Sequence, residues 1–541
     1  MSDRETGFGQ RRPDRTSIAG SYDLVIVGGG IAGAGVARDA AMRGIDTLLV
    51  EQADFGSGTT AGSTRLAHGG LRYLEQYDFS LVFESLQERE TLAEIAPHLV
   101  DPLTFLIPQY DESRLARLKL RLGMILYDAL SYGKSMPNHR YLSPEALQDL
   151  EPAIPTDGLQ GGFAYHDRQI EFVERLCLEN VIDAANHGAT VLNHAAVTDL
   201  CVENGSVVGV RIDDELSGES IDVEGDAIIN AAGPWIDDVL GGYADEQFVY
   251  PAKGIHLVVP KLTDHALTLP TTDDRIVFVV PWNGFSLVGT TDTEFDGDPA
   301  DAAATDADVD YLLKEVGRYF PDLSKGDVLY SYAGVRPLYD SGSTGRASDV
   351  SREHRVIDHR DDISGLFSLV GVKITPYRHA AEEATDMVAE YLGVERSCRT
   401  ATEPLPGGWG HRSSGGSLPQ SVVEHLQKLY GSRADVVVDR AEHDERLAEP
   451  LCEHTYDVLA QVTVAVEEEY ARRLTDVVFR RCTVGYESCQ GLDAVETIAD
   501  HMAELLEWDD RRKEAELEWY ERVLERRTVN AEQGGLKRFD T

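Results

Sequence analysis

Residues 22–51, YDLVIVGGGIAGAGVARDAAMRGIDTLLVE, constrain the fold more than any other stretch. Asp23 to Val27 is a short apolar run suited to a buried parallel strand. Gly28, Gly30 and Gly33 then complete G-x-G-x-x-G at the opening of a helix of small residues. A second apolar strand, Ile45 to Val50, ends in Glu51, where a carboxylate accepts a ribose hydroxyl of an adenine dinucleotide. The first glycine permits the tight turn, the second lets backbone N–H groups approach a pyrophosphate, and the third lets helix and strand pack closely. Strand, helix, strand and acid in this order predict a dinucleotide site.

The segment that follows, DFGSGTTAGSTRLAHGGLRYLE (54–75), is rich in turn formers and hydroxyls and comes directly off the dinucleotide strand, where ligand-contacting backbone is expected. Strand, small residues and helix recur at AIINAAGPWIDDVL (227–240) and again at 365–393. Between them, alternating strands at 255–260, 275–281 and 285–291 predict a largely antiparallel sheet, so the first domain is discontinuous in sequence. VTDLCVENGSVVGVRI (197–212) reads as a hairpin turning at Asn204-Gly205. The expected layout is a polar tail at 1–20 and a two-domain region at 21–400. Its cofactor part covers about 21–100, 165–250 and 351–400, and its substrate part about 101–164 and 251–350. A Pro- and Gly-rich linker at 401–420 then leads to a helical domain at 421–530, whose last helix starts at Asp509-Asp510.

Charge narrows the partners. A formal charge of −44 over 541 residues, with only ten lysines, excludes nucleic acid and reads as adaptation to a high-salt cytoplasm. No apolar run is long enough to cross a bilayer, and Arg11-Arg12 is not followed by the apolar segment of a signal peptide. The six cysteines include no C-x-x-C pair, so neither a metal site nor a disulfide framework is expected. At 113–132, Arg114, Arg117, Lys119 and Arg121 flank a stripe of Leu115, Leu118, Leu122 and Ile125, which is either a membrane-surface contact or an ordinary packed helix.

The motifs GSTRLAHGGLRYLE, INAAGPW, KGIHLVVP, RIVFVVPW, LVGTTD, SYAGVRPL and VGVKITPYR, followed by EYARRLTDVVFRR, resemble in order and spacing the FAD-dependent glycerol-3-phosphate dehydrogenases, from about residue 22 to 527. The resemblance implies an α/β (α+β) architecture: a Rossmann-like FAD-binding domain, an inserted antiparallel-sheet substrate domain of the D-amino-acid-oxidase-like kind, and a helical C-terminal domain. It further implies oxidation of sn-glycerol 3-phosphate to dihydroxyacetone phosphate by FAD, and since the sequence carries no specific attachment signal the FAD is expected to be noncovalent. Electrons would pass to a quinone or an electron-accepting subunit, from a peripheral position on the inner face of the cell membrane; the oligomeric state stays open, a homodimer being one option.

For the chemistry, alcohol oxidation by hydride transfer needs a base, and His68 is the titratable group near neutrality in the 54–75 loop. A phosphate needs cations, and Arg72, Arg336 and Lys373 sit beside ligand-facing glycines. In the family the matching residues Arg72, Tyr73, Arg336 and Lys373 line the pocket, and Thr291 closes a strand beside it. The flavin is expected against Gly28, Gly30, Gly33, Glu51, Ser63, Thr64, Arg65, His68, Ala232, Gly233 and Lys373. The chain departs from the family at Val372 and Pro376, which replace a glycine and a threonine and so remove access to positive φ and a backbone donor. Two other readings stay open on the same fold: an amine or amino-acid oxidase, and a flavin-binding subunit that relays electrons without a substrate.

Overall fold

The computed structural model describes residues 18, 20–74, 78–110, 113–243, 246–273, 275–340, 353–410 and 415–529. The expected polar tail lies almost wholly outside the described residues. Ser21–Val27 forms the centre of an eight-stranded sheet, pairing in parallel with Thr47–Val50 on one side and Glu219–Asn230 on the other. Its last four residues, Leu24 to Val27, are buried from both faces: Leu24 and Ile26 pack against the helices Ile31–Arg43, Val173–Asn186 and Tyr377–Leu392, and Val25 and Val27 against an apolar layer that includes Leu200, Val210 and Ile212. Leu366–Val370 extends the parallel part, and the hairpin Ala195–Glu203/Ser206–Asp214 is added in antiparallel fashion. Asn204 and Gly205 both take positive φ, 51° and 80°, as a two-residue hairpin turn requires.

The second sheet has ten strands and is antiparallel except where Ala266–Pro270 runs beside Asp101–Tyr110. Val249–Pro260 lies between Phe285–Gly289 and Tyr330–Tyr339, which carries Arg336 on the SYAGVRPL segment. The two sheets meet where Gly62 of the 54–65 loop crosses Gly334. A Cβ on Gly62 would sit 2.6 Å from the Gly334 Cα, so both glycines are needed for the loop to lie this close to the substrate strand.

The C-terminal region is helical, from Gln420–Tyr430 to Asp510–Arg527, whose first turn is capped by Asp509. Residues 401–420, expected as a linker, are in their described part closely packed. Leu405 is fully buried, the Gly407 N–H donates to Glu179 Oε2 at 2.9 Å, and Gly431 leaves no room for a side chain against the Gly407 carbonyl. Proline and glycine serve tight packing here, which composition alone does not distinguish from looseness.

Buried ion pairs hold the helical domain on. Arg175 binds Glu469 through two bonds of 2.6 and 2.9 Å, and Arg433 reaches the same carboxylate at 2.9 Å. A π-type turn at Val477–Arg481 lets consecutive Arg480 and Arg481 both pair with Asp54, which follows the dinucleotide strand. His194 meets Asp476 at 2.8 Å beside them. Replacing one member of such a cluster strands the others in a low-dielectric interior, and the cost is several kcal/mol. Glu469→Ala is therefore expected to destabilise the protein by roughly 3–5 kcal/mol in denaturant unfolding. A change below about 1 kcal/mol would show the pairs to be solvent-screened.

Candidate active site

A cavity of about 1020 Å³ opens between the two sheets and is closed on one side by the helical domain. One end is built from the glycines that follow the first strand. Gly28 has φ 104°, and a Cβ there would lie 2.6 Å from the Ala231 carbonyl. Gly30 caps the first helix without a side chain and faces the cavity. Gly33 does not line the cavity: its missing Cβ leaves room for the Gly28 carbonyl, which would otherwise be 1.9 Å away. Glu51 accepts the Gly29 N–H at 2.6 Å and the Ala53 N–H at 2.8 Å, while burial pushes its pKa up. It lines the cavity with lone pairs left for ribose hydroxyls. Ala232 and Gly233, the latter at φ 60°, form the opposite lip. This glycine cradle with an acid at its edge fits FAD.

Other assignments change. Arg65 is largely committed elsewhere, although it borders the cavity and its Nε has no hydrogen-bond partner among the described residues. Its guanidinium binds Glu174 at 2.6 and 2.7 Å and lies 4.8 Å over Trp282 and 5.0 Å over Tyr486, so it anchors the loop from beneath instead of holding a pyrophosphate. Ser63 and Thr64 stay on the cavity wall, where the Ser63 carbonyl accepts the Tyr332 hydroxyl at 3.2 Å. Thr291 is 2% exposed; its hydroxyl accepts the Ile255 N–H and its carbonyl accepts Arg336 Nη2 at 2.8 Å, so it acts by positioning Arg336. Arg336 also pairs with Asp292 at 3.0 Å and remains partly open to the cavity. Lys373 lines the cavity near His68. The departures at Val372 and Pro376 are accommodated. Positive φ falls on Gly371 at 78°, and Pro376 occupies the cap of the following helix, where no backbone donor is needed. The side chains of Arg72 and Tyr73 lie outside the described residues.

His68 is less available as a base than its sequence position implies. Its Nδ1 faces the Gly70 N–H at 3.1 Å, and because a backbone amide can only donate, this lone pair is used and the ring proton sits on Nε2. Burial lowers its pKa, and the Lys373 and Arg89 charges act in the same direction against Asp167.

Sequence reasoning missed His256. It lies on strand Val249–Pro260, stacked on Tyr332 with ring centroids 4.9 Å apart, and its Nε2 is 2.9 Å from Thr64 Oγ1. Its Nδ1 has no hydrogen-bond partner among the described residues. Burial, then the charges of Arg336 and Arg65, push its pKa down to about 3. The available signal was a lone histidine in the apolar run GIHLVVP, which reads first as core.

The "FAD dependent oxidoreductase" family model matches residues 23–373, and the model for the C-terminal domain of alpha-glycerophosphate oxidase matches residues 398–513. A glycerol-3-phosphate dehydrogenase of Synechocystis sp. is 39% identical, over 94% of this chain and 97% of its own length. A D-erythritol 1-phosphate dehydrogenase of Brucella abortus is 38% identical, over 85% of this chain and 93% of its own. The solved structure of the glycerol-3-phosphate dehydrogenase from Bacillus halodurans, complexed with FAD, superposes with a TM-score of 0.76. It is 30% identical, covering 94% of this chain and 95% of that one.

His256 sets a pH dependence of stability. Its folded pKa is below the unfolded value of about 6.5, so between the two the unfolded chain binds one proton more and stability falls as pH falls. The stabilisation is complete above pH ~6.5, and the slope contributed below is up to about 1.4 kcal/mol per pH unit. In urea unfolding between pH 5 and 7, His256→Gln is expected to remove that slope. Identical pH slopes for variant and wild type would show the ring to be solvated.

Proposed function

The chain belongs to the FAD-dependent oxidoreductase family, and on that premise we propose that it oxidises the secondary hydroxyl of sn-glycerol 3-phosphate to dihydroxyacetone phosphate. Bound FAD supplies the two-electron hydride acceptor for the C2 hydrogen. The observation that carries the reading is the convergence of Arg336, Lys373 and a buried, incompletely bonded His256 on one cavity whose other end is the glycine cradle.

Arg336, held by the Thr291 carbonyl and Asp292, presents a planar cation to the phosphate, and Lys373 adds a second. His256 takes the hydroxyl proton. Its low pKa comes first from burial and then from Arg336, so a phosphate that neutralises Arg336 raises the basicity of the ring. Thr64 fixes the plane of the ring through Nε2. Two cations suit a phosphate better than the single carboxylate of an amino acid, which disfavours the oxidase reading.

The final acceptor is read as a quinone or an electron-accepting subunit, with the protein peripheral on the inner face of the cell membrane. No helix among the described residues is long and apolar enough to cross a membrane. What supports surface attachment is the helix Arg114–Leu130, whose Leu115, Leu118, Leu122 and Ile125 are 51–76% exposed beside Arg117, Lys119 and Arg121. Lipid contact would cover that face. Leu118→Glu with Leu122→Glu is expected to abolish co-sedimentation with anionic vesicles while sparing flavin reduction. Equal binding by this variant would remove the helix from the interface.

Anaerobic addition of sn-glycerol 3-phosphate in molar salt is expected to bleach the flavin absorbance, and glycerol or amino acids to leave it unchanged. D-erythritol 1-phosphate in a parallel arm reads how long a polyol the cavity admits. Arg336→Ala is expected to raise KM roughly 30-fold or more, the loss of a charge-assisted bond. His256→Gln is expected to lower kcat by about 10²-fold or more, and His68→Ala by less. Flavin that stays oxidised with this substrate would return the assignment to an oxidase or a relay subunit.

A further inference from the structure

Cys452, His454, Cys489 and Asp493, in the helical domain, bring one donor atom each within 4.8 Å of one another. The two sulfurs are 3.7 Å apart. Cys452 Sγ lies 3.3 Å from His454 Nδ1 and 3.2 Å from Asp493 Oδ2, Cys489 Sγ lies 3.2 Å from Asp493 Oδ1, and His454 Nδ1 lies 3.3 Å from Asp493 Oδ2. Bond lengths of about 2.3 Å to sulfur and about 2.0–2.1 Å to nitrogen and oxygen make the edges of a zinc tetrahedron roughly 3.3–3.8 Å long. The five spacings lie at or just below those edges, with Asp493 turned so that Oδ2 faces Cys452 and His454 while Oδ1 faces Cys489, and all four donors stay within 4.8 Å of one another. We propose that these four side chains form a Cys₂-His-Asp site for a zinc-like divalent cation that clamps two loops of the helical domain together.

The backbone is arranged for it. The His454 N–H points at the Cys452 sulfur at 3.3 Å, the contact that a thiolate ligand accepts. Gln490 and Gly491 both take positive φ, 49° and 75°, folding the chain so that Asp493 returns to Cys489 four residues earlier. The first loop is closed by a bridge between Pro450 and Val458 and leads into Leu459–Glu467; the second leads into Val495–Leu506. A cation here joins the entrances of two packed helices. His454 and Asp493 are 47% and 37% exposed, which leaves an entry path, whereas Cys452 is buried.

Chemistry separates this cluster from the other close grouping, Asp54, His194 and Asp476. Those carboxylates are already neutralised by Arg480 and Arg481. Asp493 has no Lys or Arg ion pair among the described residues, yet it faces two thiols and an imidazole. With both thiols ionised, the neutral imidazole and the carboxylate give a set of charge −3, and two protons leave as the ion binds. The absence of a C-x-x-C pair is no obstacle, because the fold, not local spacing, brings Cys452 to Cys489.

The test is metal analysis of the FAD-loaded full chain, purified with reductant and without chelator, then incubated with zinc sulfate and desalted. About one zinc per chain is expected in the wild type, and well under half in Cys489→Ser and in the conservative Asp493→Asn, with FAD content unchanged. Chelator is expected to lower Tm in the wild type and to leave Cys489→Ser unaffected. Cobalt substitution should add thiolate-to-metal charge-transfer absorption that is lost in Cys489→Ser. Wild-type protein without bound zinc after this loading, zinc retained equally by both variants, or a Cys452–Cys489 disulfide in the reductant-treated protein would each overturn the proposal.

Discussion

The bidentate pair of Arg65 and Glu174 is the contact on which the rest of the active site depends. Arg65 belongs to the loop leaving the dinucleotide strand, Glu174 to a helix covering the parallel sheet, Trp282 beneath the guanidinium to the antiparallel sheet, and Tyr486, which donates to Glu174 at 2.7 Å, to the helical domain. Four parts of the chain thus satisfy one buried charge pair. Unpaired, either ion would be unsustainable in that interior, so the loop carrying Ser63, Thr64 and His68 takes its path over the cavity only when all four parts are assembled. The pair contributes by specifying an arrangement, and net stability comes from the apolar layers around it.

This arrangement also divides the cations. Arg65, Arg175, Arg480 and Arg481 are ion-paired with Glu174, Glu469 or Asp54, although Arg65 and Arg480 also border the cavity. Arg336 and Lys373 stay at the cavity wall, in a molecule whose formal charge is −44. An acidic surface repels an anionic substrate at long range, but salt shortens that range to about 8–10 Å or less. Within the cavity, low-dielectric walls leave the two cations effective.

What could be read from sequence follows the range of the interactions. The strand–glycine–helix–acid unit, the Asn204-Gly205 hairpin and the alternating strands are encoded within a few residues, and the fold reproduces them. The commitment of Arg65 was illegible, because its partner is 109 residues away and a hydroxyl-rich loop gives no hint of the three aromatic rings around the guanidinium. His256 was illegible for the opposite reason: an apolar strand conceals a histidine whose one side-chain hydrogen-bond partner among the described residues, Thr64, comes from a loop far away in sequence. Val372 and Pro376 looked harmful because motif comparison aligned residues and not dihedral angles. The turn draws its left-handed residue from Gly371.

The same reasoning connects the helical domain to the chemistry. Apart from the 18-residue Asp510–Arg527, its helices run to 12 residues or fewer and are joined by irregular segments, so side-chain hubs set its shape. Asp457 accepts from Gln461 and from the Thr483 amide and hydroxyl, and pairs with His425, all within 3 Å. Tyr486, three residues before Cys489, donates its one hydroxyl proton to Glu174. The segment from the Cys452–Cys489 cluster to Tyr486 is therefore held at one end by soft ligands and at the other by the Glu174–Arg65 pair. Holding both ends is what a short, turn-rich segment needs to present one side chain to a buried carboxylate, since its own backbone hydrogen bonds are too few to fix it. The helical domain thereby acts as part of the scaffold of the active site, and its docking and the geometry of the flavin loop are one structural problem.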